Sequence, residues 1–329
     1  MLRRASVVLT LAAIAVPARA HADRMPDRPY AAPADPDDFW RDVVHPHADE
    51  VGELQRNLAL TLRSIDDPYG EGNRGEQVQS GLRMARYALV LDPGDLDALY
   101  YTGAFADEAG RATEAQRVLD DYLARAPVGV LRADALLRVG RIALRQHRTR
   151  DAIVALRRSV AQVAERMTSV KAHIALAHAL EATGDVGAAI AVMRELDDNV
   201  PIDGDPATVI GYLALAVLYD RDEQVTAAFD VILRLKNALD NDYNRWAEDA
   251  VRLYPPPVAA DLHYYRALAY ETTTVNPTEA RAEWFAFERA AGATGAGARA
   301  HDHRIALDRE LARDRRPAPK PRRPARRTP

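Results

Sequence analysis

The chain of 329 residues contains no cysteine. That excludes a disulfide framework, a thiolate metal site, a cysteine nucleophile and a diacylglyceryl-cysteine lipid anchor. Aromatic residues make up only 6% of it. Beyond the first twenty residues no apolar run is long enough to span a bilayer. Neither G-x-S-x-G nor H-E-x-x-H occurs, and Ser159 and Ser169 have no histidine beside them in sequence. The expectation is a protein that is not an enzyme, with no catalytic residues, no cofactor and no metal. A domain of this size buries enough surface to fold without disulfides.

What is present is Ala, Leu, Arg, Asp and Glu, a composition suited to packed amphipathic helices. The stretch Leu96 to Pro127 has the pattern of a helix, a tight turn and a second helix. Its punctuation returns every 37 residues: Gly103, Gly110 and Ala115, then Gly140, His147 and Ala152, then Ala177, Gly184 and Ala189. A fixed period in this range marks helical repeat arrays, in which each hairpin buries its apolar face only by stacking on its neighbours. The small residues are where paired helices approach closely.

The first repeat supplies Leu99, Thr102, Gly103, Ala106, Ala115, Leu119 and Pro127; the second Leu136, Val139, Gly140, Ala143, Ala152 and Leu156; the third His173, Leu176, Ala177, Leu180, Ala189, Met193 and Pro201. This framework resembles the tetratricopeptide repeat (TPR) family, W-x2-L-G-x2-Y, then A-x3-F, then P. Aliphatic residues replace most of the large aromatics, and the period exceeds the family's usual 34. The resemblance implies an all-α fold, a right-handed superhelical solenoid of TPR-like helical hairpins, acting as a binding scaffold.

Around the regular repeats the chain divides as follows. Residues 1–20 have the form of a secretory signal peptide, with Arg3 and Arg4 before an apolar run from Ala5 to Val16 and cleavage after Ala20 or Ala22. Its removal takes the formal net charge from −4 to −7. Residues 21–34, rich in Pro, Ala and Asp, form a disordered leader. Residues 35–93 are N-terminal capping helices and a divergent hairpin: a short helix starting at Asp35-Pro36, a break at His45-Pro46-His47, an amphipathic helix from His47 to Ile65 and another from Glu76 to Leu91. Between the last two lies Gly70-Glu71-Gly72-Asn73-Arg74-Gly75. It satisfies G-x-G-x-x-G literally, but no strand precedes it, so an interhelical loop is expected rather than a phosphate cradle.

The TPR-like repeats occupy 94–240, the fourth hairpin running from Ala207 to Asp240. Residues 241–312 hold a helix carrying Trp246, a weaker fifth hairpin from Val258 to Ala291, and a capping helix from Ala298 to Arg313. Tyr264, Tyr265, Tyr270, Trp284, Phe285 and Phe287 cluster here, as a C-terminal core or a binding surface, with core favoured because aromatics bury large areas. His301 and His303, two apart on a helix, face different ways and are not expected to share a metal.

The end, residues 313–329, is a basic, Pro-rich tail expected to be disordered. Arg313, Arg315, Arg316, Lys320, Arg322, Arg323, Arg326 and Arg327 oppose the single acid Asp314. Such a tail either tethers the chain to an anionic membrane or envelope polymer or solubilises it. Nucleic acid is disfavoured, because the signal peptide sends the chain away from it.

In the family the inner groove is lined by the first helix of each hairpin. Projecting those faces gives a peptide-binding groove of Asp97, Tyr100, Tyr101, Asp134, Arg138, Arg141, Arg145, Lys171 and His178. Arg138, Arg141 and Arg145 share one helical face. Arginine forks pair with carboxylates, so an acidic peptide is the expected ligand. The family's carboxylate-clamp set of Lys and Asn is not reproduced. The functional expectation is an exported protein–protein adaptor of the periplasm or cell envelope. The alternative is a structural envelope protein tethered by its tail.

Overall fold

The computed structural model describes residues 46–66, 72–162, 164–239, 247, 249–251, 260–273, 277–292 and 295–314. The signal peptide, the leader, the Asp35-Pro36 helix start, His45, Gly70 and Glu71, Trp246, the Pro255-Pro256-Pro257 stop, Asn276 and the tail residues from Arg315 onward lie outside them.

Thirteen helices stand among the described residues: α1 Ala48–Asp66, α2 Arg74–Leu91, α3 Leu96–Glu108, α4 Ala112–Arg125, α5 Val130–Arg145, α6 Thr149–Val160, α7 Arg166–Glu181, α8 Val186–Asn199, α9 Pro206–Arg221, α10 Val225–Leu239, α11 Asp261–Thr273, α12 Pro277–Ala291 and α13 Ala296–Asp314. They pair as hairpins (α3/α4, α5/α6, α7/α8, α9/α10, α11/α12), and each hairpin stacks on the next. First helices touch along the stack, α3 on α5, α5 on α7, α7 on α9 and α9 on α11. The fold is an all-α, TPR-like solenoid.

Local chemistry explains each element. Asp95, Asp185 and Asp205 cap their helices, accepting from the backbone N–H of Ala98, Ala188 and Ala207. Pro206 occupies the first turn of α9, where its missing N–H costs nothing. The second half of the glycine motif is a helix start: Asn73 caps α2 by accepting from Gly75 and Glu76, so the helix opens two residues before the expected Glu76.

The turns within the first four hairpins are alike. Gly110, His147, Gly184 and Glu223 all have positive φ, at 72°, 59°, 83° and 60°. In each, the next residue's N–H bonds back across the turn, Arg111 to Ala106, Arg148 to Ala143, Asp185 to Leu180 and Gln224 to Tyr219. This is the left-handed helix stop that glycine adopts without strain.

Close helix approach sits where the spacing placed it. A methyl group built on Gly103 would lie 2.7 Å from Leu119, and one on Gly140 2.5 Å from Leu156. The third repeat has Ala177 and the slimmer Met193 at this register, both buried. Gly81 makes a third such contact, with Phe105, that the repeat pattern did not mark.

The core runs along the stack in two clusters that meet on α5. Ala135 and Ile142 join the N-terminal one, with Leu58, Leu62, Ile65, Leu82 and Phe105; Leu137 and Ala143 join the C-terminal one. The C-terminal aromatics are core: Tyr264 meets Trp284 and Phe287 edge to face at 4.7 and 4.9 Å, all fully buried, while Phe285 is half exposed.

Candidate functional site

The face made by the first helices carries an ordered set of ion pairs. It is built by a register that the repeat supplies. Asp107, Glu181 and Asp220 fall at equivalent places in the last turns of α3, α7 and α9. Arg145 and Arg221 fall one place later on α5 and α9. Arg145 pairs with Asp107, and Arg221 with Glu181 at 2.8 Å, each reaching back to an earlier first helix. Arg221 also takes Asp261 of α11 at 2.6 Å, so one guanidinium joins three hairpins.

Arg138 is the centre of a second arrangement. Its Nε donates to Asp134 at 2.6 Å and its Nη1 to Glu108 at 2.7 Å, with Asp107 at 3.5 Å. Tyr100 donates its hydroxyl to the same Asp134 oxygen at 2.6 Å. Arg138 is 3% exposed. Burial works against its charge, but Asp134, Tyr100, Glu108 and Asp107 outweigh that and raise its pKa. Burial likewise opposes the Asp134 carboxylate, yet the Arg138 charge and the Tyr100 hydrogen bond hold its pKa low.

These contacts correct the expected groove. Arg138 is an internal clasp and offers no outward fork, because it is buried and turned to Asp134, Glu108 and Asp107. Tyr100 and Tyr101 are buried, edge to face at 5.0 Å, with Tyr122 5.6 Å from Tyr100. Burial, then the charges of Asp97 and Asp134, push the Tyr101 hydroxyl up to about 12. Arg145 is half exposed but committed to Asp107. The ridge of three arginines is therefore one buried clasp, one inter-hairpin bridge and one outward cation, Arg141.

Arg141 is exposed and donates no hydrogen bond among the described residues; its charge acts on Glu108. One repeat on, Lys171 is half buried and its charge acts on Asp134. His178 is also half buried, at the Arg141 register of the next first helix. It borders a small recess between α7, α9 and α11, floored by Ala177, Ala214 and Val217 and rimmed by Glu181, Arg221 and Asp261. Asp97 is exposed at the start of α3. The outward part of the expected site is thus Asp97, Arg141, Lys171 and His178.

Sequence reasoning overlooked the acids that answer the arginines. Their signal was the shared register of Asp107, Glu181 and Asp220, visible once the repeats are aligned. It also overlooked a polar cluster under the C-terminal cap. Asp220, 1% exposed, accepts from Tyr264 at 2.6 Å, Arg299 at 2.8 Å and His303 at 3.0 Å. Burial opposes the Asp220 charge, but the hydrogen bonds from His303 and Arg299 overcome it and hold the carboxyl far below its usual range. His303 uses its other ring nitrogen on Glu271 at 3.0 Å.

None of this assembles catalysis. Ser169 Oγ lies 3.5 Å from His173 Nδ1, but that nitrogen is 2.8 Å from the Ser169 carbonyl and so carries the proton. It cannot then accept one from the hydroxyl. Ser159 donates to the Ala133 carbonyl at 2.8 Å. Among the described residues no three His, Asp or Glu converge as metal ligands, and no helix is long and apolar enough to cross a membrane. The arrangement is a TPR-like stack of hairpins whose first-helix face is laced by ion pairs.

No protein-family model and no curated protein matches the chain. Solved structures do. MamA has TM-score 0.41 and 18% identity, covering 52% of this chain and 91% of its own. YrrB, described as a TPR protein with an unusual peptide-binding site, has TM-score 0.38 and 16% identity, covering 64% and 93%. The C-terminal part of a TPR repeat-containing protein from Cytophaga hutchinsonii has TM-score 0.43 and 12% identity, covering 71% and 93%. These are likenesses of fold.

Proposed function

We propose that this chain is a non-enzymatic adaptor of the periplasm or cell envelope that holds a peptide segment of a partner protein against its first-helix face. The observation that carries this reading is the outward strip of Arg141, Lys171 and His178 beside the small-residue recess of α7, α9 and α11. Around it Arg138, Arg145 and Arg221 are paired with carboxylates of the same face. An acidic side chain of the ligand faces Arg141, and a small apolar one fits over Ala177 and Ala214. The location rests on the first twenty residues, whose form is that of a signal peptide.

The test is fluorescence anisotropy with labelled peptides that differ only in charge. Acidic peptides carrying a small apolar residue are expected to bind. Arg141→Glu is expected to weaken them at least tenfold while leaving helicity unchanged. Equal affinity for acidic and basic peptides, or indifference to Arg141→Glu, defeats the groove reading.

A second reading has the tail in view: Arg315, Arg316, Lys320, Arg322, Arg323, Arg326 and Arg327 suit attachment to an anionic membrane or polymer. A chain ending at Leu311 separates the two, since the adaptor keeps its peptide and the tethered protein loses its surface.

A further inference from the structure

Two apolar features on the outer, second-helix side of the solenoid have no role in the stack. The first is on α10. Val225, Phe229 and Leu233 are 50%, 47% and 41% exposed. They lie at i, i+4 and i+8, so they form one stripe along the helix. The neighbouring face of α10 is the one that packs, through Ala228, Val231, Ile232 and Leu235, and the stripe runs along its edge. Large apolar side chains left half exposed in one line have surface to gain from being covered.

The second is a trough of about 420 Å³ between α4 and α6, floored by α5. Leu123, Val139 and Val154 line it, and Asp120, Asp151 and Arg158 stand at its edges. Val154 is 60% exposed. Asp151, Val154 and Arg158 lie at i, i+3 and i+7, giving that wall of the trough an acidic start, an apolar middle and a basic end.

The stripe has the same polarity. Asp222 and Glu223 precede it and Lys236 follows it, all exposed. Laid antiparallel to α6 with Phe229 and Leu233 over Val154, α10 puts Lys236 past the Asp151 end and Asp222 and Glu223 past the Arg158 end, so the order of charges is complementary although the stripe is the longer of the two. The helix dipoles are then also opposed, which is favourable. Asp151 already shares Arg148 at 2.9 Å and keeps most of its surface open. The stripe and the trough sit on different hairpins of one continuously packed stack, so a single copy cannot bring its own two features together.

We propose that the Val225–Phe229–Leu233 stripe of one copy seats antiparallel in the α4–α6 trough of a second copy. Because the two surfaces differ, the contact is heterologous, and each added copy leaves one stripe and one trough free for the next. The protein then builds chains, and the first-helix face of every copy stays available for its ligand.

Sedimentation velocity of the full chain over a concentration series tests this. The wild type is expected to grow past the dimer. Phe229→Asp and Val154→Asp, both at exposed positions, are each expected to be monomeric with unchanged helicity by circular dichroism. Mixed in equal amounts they are expected to stop at two chains, since the first keeps a working trough and the second a working stripe. A charge exchange, Asp151→Lys with Lys236→Asp, is expected to restore association that either change alone weakens. A wild type that stays monomeric, a Val154→Asp variant that still dimerises through stripe on stripe, or a mixture that stays monomeric overturns the proposal.

Discussion

His303 stacks face to face on Trp284, the ring centroids 4.4 Å apart and the planes 13° from parallel. The indole N–H donates to Glu271 at 2.6 Å, and the same glutamate takes the imidazole. With Asp220 on its other nitrogen, His303 clamps the capping helix α13 onto α9 and α12.

This clamp is charge-dependent. Burial lowers the His303 pKa, but hydrogen bonds to Asp220 and Glu271 and their charges outweigh it and raise it from 6.5 to about 9. A raised folded-state pKa gives stability that is complete below the unfolded value and is lost as pH rises through the folded one. Urea unfolding between pH 6 and 10 is expected to show the unfolding free energy falling as pH rises from about 6.5 to about 9, by up to about 3 kcal/mol. His303→Gln should flatten that slope. A wild-type midpoint that is constant or rising over this range counts against the clamp.

The left-handed turns give a prediction of opposite sign at two pairs of sites. His147 and Glu223 hold positive φ with a side chain attached. That conformation costs a side-chain-bearing residue about 1–2 kcal/mol. His147→Gly and Glu223→Gly are each expected to stabilise by about 0.5–1 kcal/mol after the entropy that glycine adds to the unfolded chain. Gly110→Ala and Gly184→Ala should each destabilise by about 1 kcal/mol. Thermal unfolding of the four variants checks both signs.

Gly140 and Leu156 make a steric pair. An alanine at 140 puts its methyl 2.5 Å from the Leu156 side chain. Gly140→Ala is expected to cost about 1–3 kcal/mol through overpacking. Gly140→Ala combined with Leu156→Ala should cost less than the two separately, because the smaller partner makes room. Additive costs in a double-mutant cycle would show that the two do not meet.

Arg138 is costly to remove because it is buried among carboxylates. Arg138→Met leaves Asp134 without its ion-pair partner and Glu108 with Arg74 alone, and a broken buried pair typically costs about 3–5 kcal/mol. Replacing Asp134 by Asn in the same variant should recover part of that loss. Arg141→Met, on the same helix but exposed, is expected to change stability by less than about 0.5 kcal/mol. Chemical denaturation of the three variants separates the clasp from the outward cation.

Most of the fold was legible before any coordinates. A spacing of 37 residues between small residues fixes which helices pair and where they touch, since only Gly or Ala lets two helices approach that closely. Gly103 and Gly140 sit against Leu119 and Leu156 for that reason. The turns were legible too, with His147 and Glu223 taking glycine's place. Gly81 against Phe105 was not, because it lies before the regular repeats begin.

The site was legible only in part. Helical spacing told that Arg138, Arg141 and Arg145 share a face, but a shared face says nothing about what stands opposite. The opposing acids come from the neighbouring first helix, some thirty to forty residues away, and their distance depends on how the hairpins stack. Sequence determined the repeat, the pairing of helices and the sign of each charge. Tertiary structure decided which charges neutralise each other in the interior and which, Arg141 foremost, are left facing out. Burial and ion pairing are properties of two surfaces brought together, and one-dimensional spacing describes only one of them.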